Sequence, residues 1–204
     1  MNKRAYSGTA LILIGFPNDY FSPDGILHGV IKEVERVNHV LENTLALIRQ
    51  LIEMQALMVS TPIIFTEDYS ELKEPAGILK VIKEAKAFCS VSKGSASISE
   101  CNEFENRILE VPGTRGLNAF SNTQLDELLQ EREIKALVFA VAVISICIDF
   151  SARSAFERGY KVSVLSDCTT GRTMFDQEFY CNEVFPIHAE VLGYEQFVAS
   201  LSVI

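Results

Sequence analysis

The sequence has few histidines, no closely spaced cysteine pair and no excess of basic residues, and these shortages exclude several functions. His28, His39 and His188 are scattered without ligand spacing, so no metal site is expected. The five cysteines are odd in number and none belongs to a Cys-x-x-Cys pair, which argues against a disulfide framework or a structural zinc. A net charge of −9 argues against nucleic acid as a partner. Nothing in the sequence indicates a cofactor.

Long hydrophobic runs are also missing. The longest run, 136–148, is too short to cross a bilayer and contains a serine. The first residues lead directly into a strand-like segment and lack the apolar core of a signal peptide. We therefore expect a soluble cytoplasmic protein with no membrane partner. Its 204 residues suit a single domain, 1–204.

Apolar segments with strand-like and helix-like periodicity alternate along the chain. This alternation predicts an α/β protein of three-layer, Rossmann-like architecture, with helices on both faces of a mainly parallel sheet of about six strands. The longest predicted helix either covers the sheet or pairs in a coiled coil, and covering a sheet is the usual role. The predicted strands are 9–16, 63–66, 107–111, 136–143, 161–165 and 184–187; the predicted helices are 29–58, 75–88, 125–132, 147–157, 172–181 and 195–201, and the predicted mobile loop is 90–99.

One cysteine stands where such a fold places chemistry. Sites in parallel sheets lie beyond the carboxyl ends of the strands, near the point where the strand order reverses. The buried strand that begins at residue 136 is followed at once by Cys147, which opens an amphipathic segment. Backbone amides at a helix N-terminus stabilise a thiolate and bind an oxyanion. Cys147 therefore occupies the position of a nucleophile.

Four segments in order carry a resemblance to a known family. Ile-Gly-Phe-Pro-Asn-Asp-Tyr at 14–20 is similar to the family opening Ile-Asp-x-Gln-Asn-Asp-Phe, and 111–120 is similar to a Lys-x-x-x-Ser-Ala-Phe motif. The segment 141–153 is similar to Gly-Val-x-Thr-x-x-Cys-Val-x-x-Thr-Ala-Arg, and 155–168 to Ala-x-x-x-Gly-Tyr-x-Val-x-Val-x-x-Asp-Ala. Over nearly its whole length the chain resembles the isochorismatase-like cysteine hydrolases.

The resemblance implies a mechanism that this chain only partly matches. In the family a Cys nucleophile works with an Asp that takes its proton and a Lys that holds the thiolate charge. By position the nucleophile is Cys147, and the oxyanion hole comprises the amides of Val143 and Cys147 beside a cis peptide bond before Val143. Gly15 stands where the Asp is expected and Thr114 where the Lys is expected. Without these charged partners the thiol pKa is expected near its ordinary value of about 8.5.

Nearby residues could replace the two missing groups. Asp19 follows Gly15 in the same loop, and Arg115, which cannot give up a proton, could supply a cation. The alternative is structural: Asp19 stabilises a turn, Arg115 faces solvent, and Cys147 is an inherited buried thiol. Substrate contacts implied by the resemblance are assigned to Phe16, Glu67, Asn118 and Phe120.

Two functional hypotheses remain open. The first is a hydrolase that acts on a small amide, imide or vinyl-ether substrate through Cys147, with Asp19 and Arg115 as further catalytic residues. The second is a catalytically silent family member that binds a small molecule or a protein. Residues 65–71 contain no histidine, which disfavours the metal site of nicotinamidases and nicotinamide as substrate. Family resemblance favours a homodimer or a higher homo-oligomer.

Overall fold

The computed structural model describes residues 8–104, 106–112 and 117–201. Thr114, which stands where the family's lysine is expected, lies outside the described residues, and so does Arg115, the predicted substitute cation. No helix in the described part of the chain is long and apolar enough to cross a membrane.

The described strands form one parallel sheet in the order β3-β2-β1-β4-β5-β6. The order reverses between β1 and β4, and the carboxyl end of β1 meets that of β4 where Ile14 pairs with Val141. The strands are β1 Thr9–Ile14, β2 Leu57–Ser60, β3 Leu109–Glu110, β4 Ala136–Ala142, β5 Lys161–Thr170 and β6 Glu190–Leu192. The helices are α1 Asn18–Phe21, α2 His28–Asn38, α3 Val40–Glu53, α4 Gly77–Ala85, α5 Leu125–Glu131, α6 Asp149–Glu157, α7 Met174–Phe179 and α8 Tyr194–Leu201.

Alternating residues of β1 supply the two halves of the core. Leu11 and Leu13 pack on one face, in a cluster that includes Ile48 of α3. Ile12 packs on the opposite face, in a cluster that includes Leu125 of α5. Successive side chains of a strand point to opposite faces, so this central strand is apolar throughout. The predicted α/β fold with helices on both faces of a parallel sheet is therefore confirmed.

The predicted positions of two strands, 63–66 and 184–187, were wrong. The second strand is Leu57–Ser60, which pairs with β1, whereas Phe65 exchanges backbone hydrogen bonds with Phe88 and Ser90 away from β1. Met58 and Val59 continue the apolar spacing of the preceding helix, which hid this strand in the sequence. The predicted strand 184–187 ends instead in a 3₁₀ turn, Phe185–Ile187, whose proline lacks the N–H that a sheet ladder requires.

The predicted long helix is two helices. His39 has a left-handed backbone conformation, with φ of 50°, and separates α2 from α3. The segment 90–99, predicted to be loop, contains a 3₁₀ turn at Lys93–Ser95 and is tied to α1. The tie is the Asn18 side-chain amide, which donates to the carbonyl oxygens of Lys93 and Ala96 at 3.0 and 2.9 Å.

Candidate functional site

Cys147 lies just beyond the carboxyl end of β4, beside the point where the strand order reverses. The peptide bond between Ala142 and Val143 is cis, as the resemblance implied. A π-helical turn, Ile144–Ile148, follows and runs directly into α6. The predicted helix therefore begins three residues earlier than expected. Cys147 sits within its first turn at the predicted edge of the sheet.

The Cys147 thiol is buried and has only backbone donors around it. Cys147 is 2% exposed. Burial raises the pKa of the thiol to about 12, although the backbone N–H groups of Val143 and Cys147, which face the sulfur, act to lower it. The expected pKa of about 8.5 was wrong, because the sequence gives no measure of how deeply the thiol is buried. Among the described residues, no charged side chain contributes to this pKa.

Gly15 directly follows β1, beside the segment that leads to Cys147, and borders a very small cavity. The residue has φ of 67°, a conformation that non-glycine residues seldom adopt. The cavity leaves about 10 Å³ for the centre of a water molecule, which is room for a single water. Its lining comprises Ile14, Gly15, Phe16, Pro17, Tyr20, Pro62, Ile63, Phe88, Ser95, Ser97 and Ala142.

Tyr20 and Phe88 fill the space beside Gly15. Their rings pack with centroids 5.3 Å apart, and both residues are buried. Burial raises the pKa of the Tyr20 hydroxyl, and the nearby Cys147 and Asp19 raise it further, so the phenol stays protonated. Tyr20 was not predicted as a site residue from the sequence. The only signal was a tyrosine where the family opening has phenylalanine.

The Asp19 carboxylate is buried and already has a partner. The residue is 2% exposed, and its Oδ2 accepts a 2.6 Å hydrogen bond from the backbone N–H of Phe88. Gly94 packs so closely on the other side that an added Cβ would overlap the carboxylate. Asp19 therefore fastens α1 to the 88–94 segment. Within the described residues, this carboxylate makes no hydrogen bond with Cys147.

The residues assigned to substrate binding are spread over the structure. Phe16 is buried and lines the small cavity, with its ring packed on Phe21 at 5.8 Å. Glu67 is exposed on the 66–71 turn and does not line that cavity.

Asn118 and Phe120 flank Ala119, whose backbone N–H is bound to Ser151 of α6. The Asn118 Oδ1 accepts from the Phe120 backbone N–H at 3.0 Å, which closes a local turn. The Phe120 ring stacks on Tyr160, at 6.3 Å, and lies under the Arg158 guanidinium. Tyr160 directly precedes the amino end of β5. Val143, Tyr20 and Asp19 thus lie close to Cys147, while Glu67 is exposed on its turn. The Ala119 N–H donates to the Ser151 hydroxyl of α6 at 3.0 Å, so the segment that carries Asn118 and Phe120 packs on the helix that follows Cys147.

The carboxylate of Asp176, which pairs with the exposed Arg172, fixes the helical turn that carries Cys147. The Ser145 hydroxyl donates to Asp176 at 2.7 Å, and Arg172 pairs with the same carboxylate at 3.3 Å. Burial tends to raise the pKa of Asp176, but the hydrogen bonds from Arg172 and Ser145 outweigh it and lower that pKa. Ser145 is thus engaged with α7. Its hydroxyl holds the start of the helix in place.

The described part of the chain contains no group of three or more His, Cys, Asp or Glu side chains that could hold a metal. The Asp167 carboxylate accepts from the Tyr194 backbone N–H at the start of α8.

A parallel six-stranded sheet with a cysteine beyond its switch-point strand, preceded by a cis peptide bond, defines an α/β protein of cysteine-hydrolase type. An isochorismatase-domain family model matches residues 9–196. The chain belongs to the isochorismatase family of hydrolases.

One curated relative matches part of the chain, and two solved structures share its fold. An uncharacterized isochorismatase family protein, YddQ, of Bacillus subtilis (strain 168) is 40% identical over 57 residues, a match that spans 28% of this chain and 32% of that protein. A cysteine hydrolase from Pseudomonas syringae pv. phaseolicola 1448A superposes with a TM-score of 0.82 at 17% identity, covering 99% of this chain and 94% of that one. A pyrazinamidase/nicotinamidase from Streptococcus mutans UA159 has a TM-score of 0.70 at 20% identity, covering 91% and 100%.

Proposed function

We propose that this chain is a catalytically silent member of the isochorismatase family that has kept the hydrolase fold as a binding protein. The observation that carries the proposal is the state of Cys147. Its thiol is buried, its pKa is raised to about 12, and no charged side chain among the described residues acts on it. At pH 7 such a thiol is almost entirely protonated, and the thiolate is the nucleophilic form.

The surroundings of the thiol support the same proposal. General-base catalysis contributes about 10²- to 10⁴-fold to rate, and Gly15 offers no base. Asp19, the nearest substitute in the sequence, is bound to the Phe88 backbone and covered by Gly94. The cavity beside Gly15, which Tyr20 and Phe88 help to line, has room for one water and is too small for an amide substrate.

The competing proposal, a divergent hydrolase, has one specific observation in its favour. The backbone N–H groups of Val143 and Cys147 face the sulfur at the end of β4, where an oxyanion hole for a tetrahedral intermediate would form. In that proposal Cys147 attacks a small amide, imide or vinyl ether, Asp19 takes the proton and Arg115 supplies the cation. A base within hydrogen-bond reach of the thiol would be required.

Turnover of family-type substrates separates the two proposals. A panel of small amides, imides and vinyl ethers is incubated with the purified protein, with Cys147→Ala and with Cys168→Ala, a control at another fully buried thiol. If the protein is catalytically silent, all three proteins are expected to give the same hydrolysis rate as buffer alone. Hydrolysis by the parent protein and by Cys168→Ala, abolished in Cys147→Ala, would establish the hydrolase instead.

We further propose that the protein self-associates through an aromatic face. Ring contacts run without a gap from Phe175 through Phe179, Tyr180, Phe185 and His188 to Phe156. Three of these aromatic residues are strongly exposed, with Phe175 at 77%, and Ile187 beside them is 75% exposed. Exposed apolar side chains grouped around one set of ring contacts are typical of an interaction site, and cyclic homo-oligomers bury such surface symmetrically.

A further inference from the structure

The short helix α7 turns its polar side chains inward and its aromatic side chains outward. Asp176 and Gln177 are its buried residues, whereas Phe175 and Phe179 are 77% and 45% exposed. A surface helix normally buries its apolar stripe and exposes its polar one. A helix of six residues is also too short to be stable without tertiary contacts. The position of α7 therefore depends on the polar contacts of its inner side and on what covers its two phenylalanine rings.

The inner side of α7 is joined to the thiol turn, Ile144–Ile148, in two places. The Asp176 carboxylate accepts a hydrogen bond from the Ser145 hydroxyl at 2.7 Å. Gly171, shortly before the helix, packs so closely on Ile144 that an added Cβ would lie 3.2 Å from the Cγ2 atom of that side chain. Both contacts are made with the first two residues of the turn. A displacement of α7 would therefore remove support from the start of the thiol turn.

The outer side of α7 belongs to the aromatic face, whose exposed apolar area suits one side of a dimer interface. At about 200 Å² for a whole aromatic side chain, the four exposed apolar residues Phe156, Phe175, Phe179 and Ile187 present roughly 400 Å² to solvent. One partner in a standard interface buries roughly 800 Å², of which a little more than half is apolar. The aromatic face is therefore large enough to receive a second copy of the chain.

The charges around the aromatic face are balanced, which suits a second copy as the occupant. The chain carries a net charge of −9, so two copies repel each other where acidic residues are in excess. At this face Arg153 pairs with Asp149, and Arg172 pairs with Asp176. Burial raises the pKa of the Tyr180 hydroxyl, and all four charged groups lie near enough to act on it as well. The paired charges therefore lower the repulsion that two acidic chains would otherwise meet.

We propose that self-association through the aromatic face holds α7 in place and thereby stabilises the thiol turn. This inference rests on the self-association proposed above and adds its effect on the surroundings of Cys147. In an oligomer the partner covers Phe175 and Phe179, so α7 keeps Asp176 against Ser145. In a monomer the two rings face water, α7 loses that support, and the turn opens more often. Association and the order of the turn are linked through one element that both of them bias.

Hydrogen exchange of the thiol turn at several protein concentrations tests the coupling. Sedimentation velocity on the same samples gives the fraction of associated chains. Exchange of the turn amides is expected to be slower in the associated protein than in the monomer by about fivefold or more. Phe175→Ser, which removes the most exposed ring, is expected to exchange at the monomer rate at every concentration. A parent protein that is monomeric throughout would overturn the self-association, whereas association without any change in exchange would overturn the coupling alone.

Two serine variants test the route of the coupling. Ser145→Ala removes the hydroxyl that reaches Asp176 and leaves the aromatic face intact. This variant is expected to associate, while exchange of its thiol turn no longer depends on protein concentration. Ser151→Ala is the matched control, because its buried hydroxyl accepts from the Ala119 backbone N–H and not from α7. It should keep the concentration dependence of the parent, and equal behaviour of the two variants would contradict the route through Ser145.

Discussion

The backbone N–H of Phe88 donates a 2.6 Å hydrogen bond to the buried carboxylate of Asp19. Asp19 is the carboxylate closest in sequence to the position where the family carries its catalytic base, four residues after Gly15. Its contact with Phe88 gives it another task, which is to hold the aromatic pair Tyr20 and Phe88 over the end of β1. The residue that sequence reasoning selects as a substitute base thus closes the site.

Removing the Asp19 charge should therefore affect stability and leave the thiol unchanged. Asp19→Asn keeps the shape but weakens the acceptor for the Phe88 N–H, so we expect a loss of about 1–3 kcal/mol in the free energy of unfolding. Denaturant unfolding measures that loss. The alkylation rate of native Cys147 should not change. A stable variant with an altered Cys147 rate would mean that Asp19 acts on the thiol.

The contact between Gly94 and Asp19 gives a second stability prediction. Gly94→Ala places a Cβ on the Asp19 carboxylate, and we expect destabilisation of about 1–3 kcal/mol by overpacking. Gly29→Ala is the matched control, because it lies in α2 with no atom within 4 Å of an added Cβ. It should stabilise by about 0.5–1 kcal/mol through helix propensity. Equal effects of the two variants on the unfolding midpoint would refute the close contact.

The sequence predicts the backbone position of this site better than the side-chain packing around it. Alternating periodicity places Cys147 after a buried strand, and the family motif places the cis bond before Val143, because both depend on residues that are near one another in the chain. The filling of the pocket depends on a contact between Tyr20 and Phe88, which are 68 positions apart, and local patterns carry no signal for it. Cys147 is buried in the cluster on the other face of the sheet, whose members also come from distant parts of the chain, and its raised pKa follows from that burial.

The predicted boundaries of helices and strands were wrong where the apolar spacing of one element continues into the next. Met58 and Val59 continue the apolar spacing of α3, so β2 was absorbed into the predicted helix. The break at His39 left no glycine or proline as a marker, because a histidine adopts the left-handed conformation there. In both places tertiary contacts, rather than local propensity, decide where the element ends.

Acidification should destabilise the fold through His188. Both ring nitrogens are buried and have no hydrogen-bond partner among the described residues, and the ring packs against Phe156 and Phe185. Burial lowers the pKa of His188, Arg153 lowers it further, and Asp149 opposes them. The folded state therefore favours the neutral ring, and the unfolded chain takes up the proton first as pH falls below about 6.5. Stability should fall by at most about 1.4 kcal/mol per pH unit below that point.

Denaturant unfolding between pH 8 and pH 5 measures this effect. His188→Phe retains a ring but cannot be protonated, so its stability should decline less steeply with acidification than that of the parent. His39→Asn, at an exposed position whose left-handed backbone suits asparagine, should follow the parent. Parallel curves for the parent and His188→Phe would show that His188 does not contribute.

Self-association through the aromatic face is tested by changing its most exposed residue. Phe175→Ser removes a ring that is 77% exposed and stacks on Phe179, so we expect a shift toward monomer. Sedimentation velocity across a range of protein concentrations measures it. Val91→Ser, an apolar residue 68% exposed outside the ring contacts, should leave the distribution unchanged. A parent protein that is monomeric throughout, or equal behaviour of both variants, would refute the proposed interface.

The pH dependence of alkylation at Cys147 tests the central claim most directly. The native protein is treated with iodoacetamide from pH 6 to pH 9, and each cysteine is followed by mass spectrometry, with denatured protein as the reference for full reactivity. Burial and a thiol pKa raised to about 12 predict that native Cys147 stays unmodified across this range and reacts only after unfolding. Rapid alkylation of native Cys147 with a midpoint below pH 7 would contradict the account, since it would require an exposed thiolate held by a charged partner.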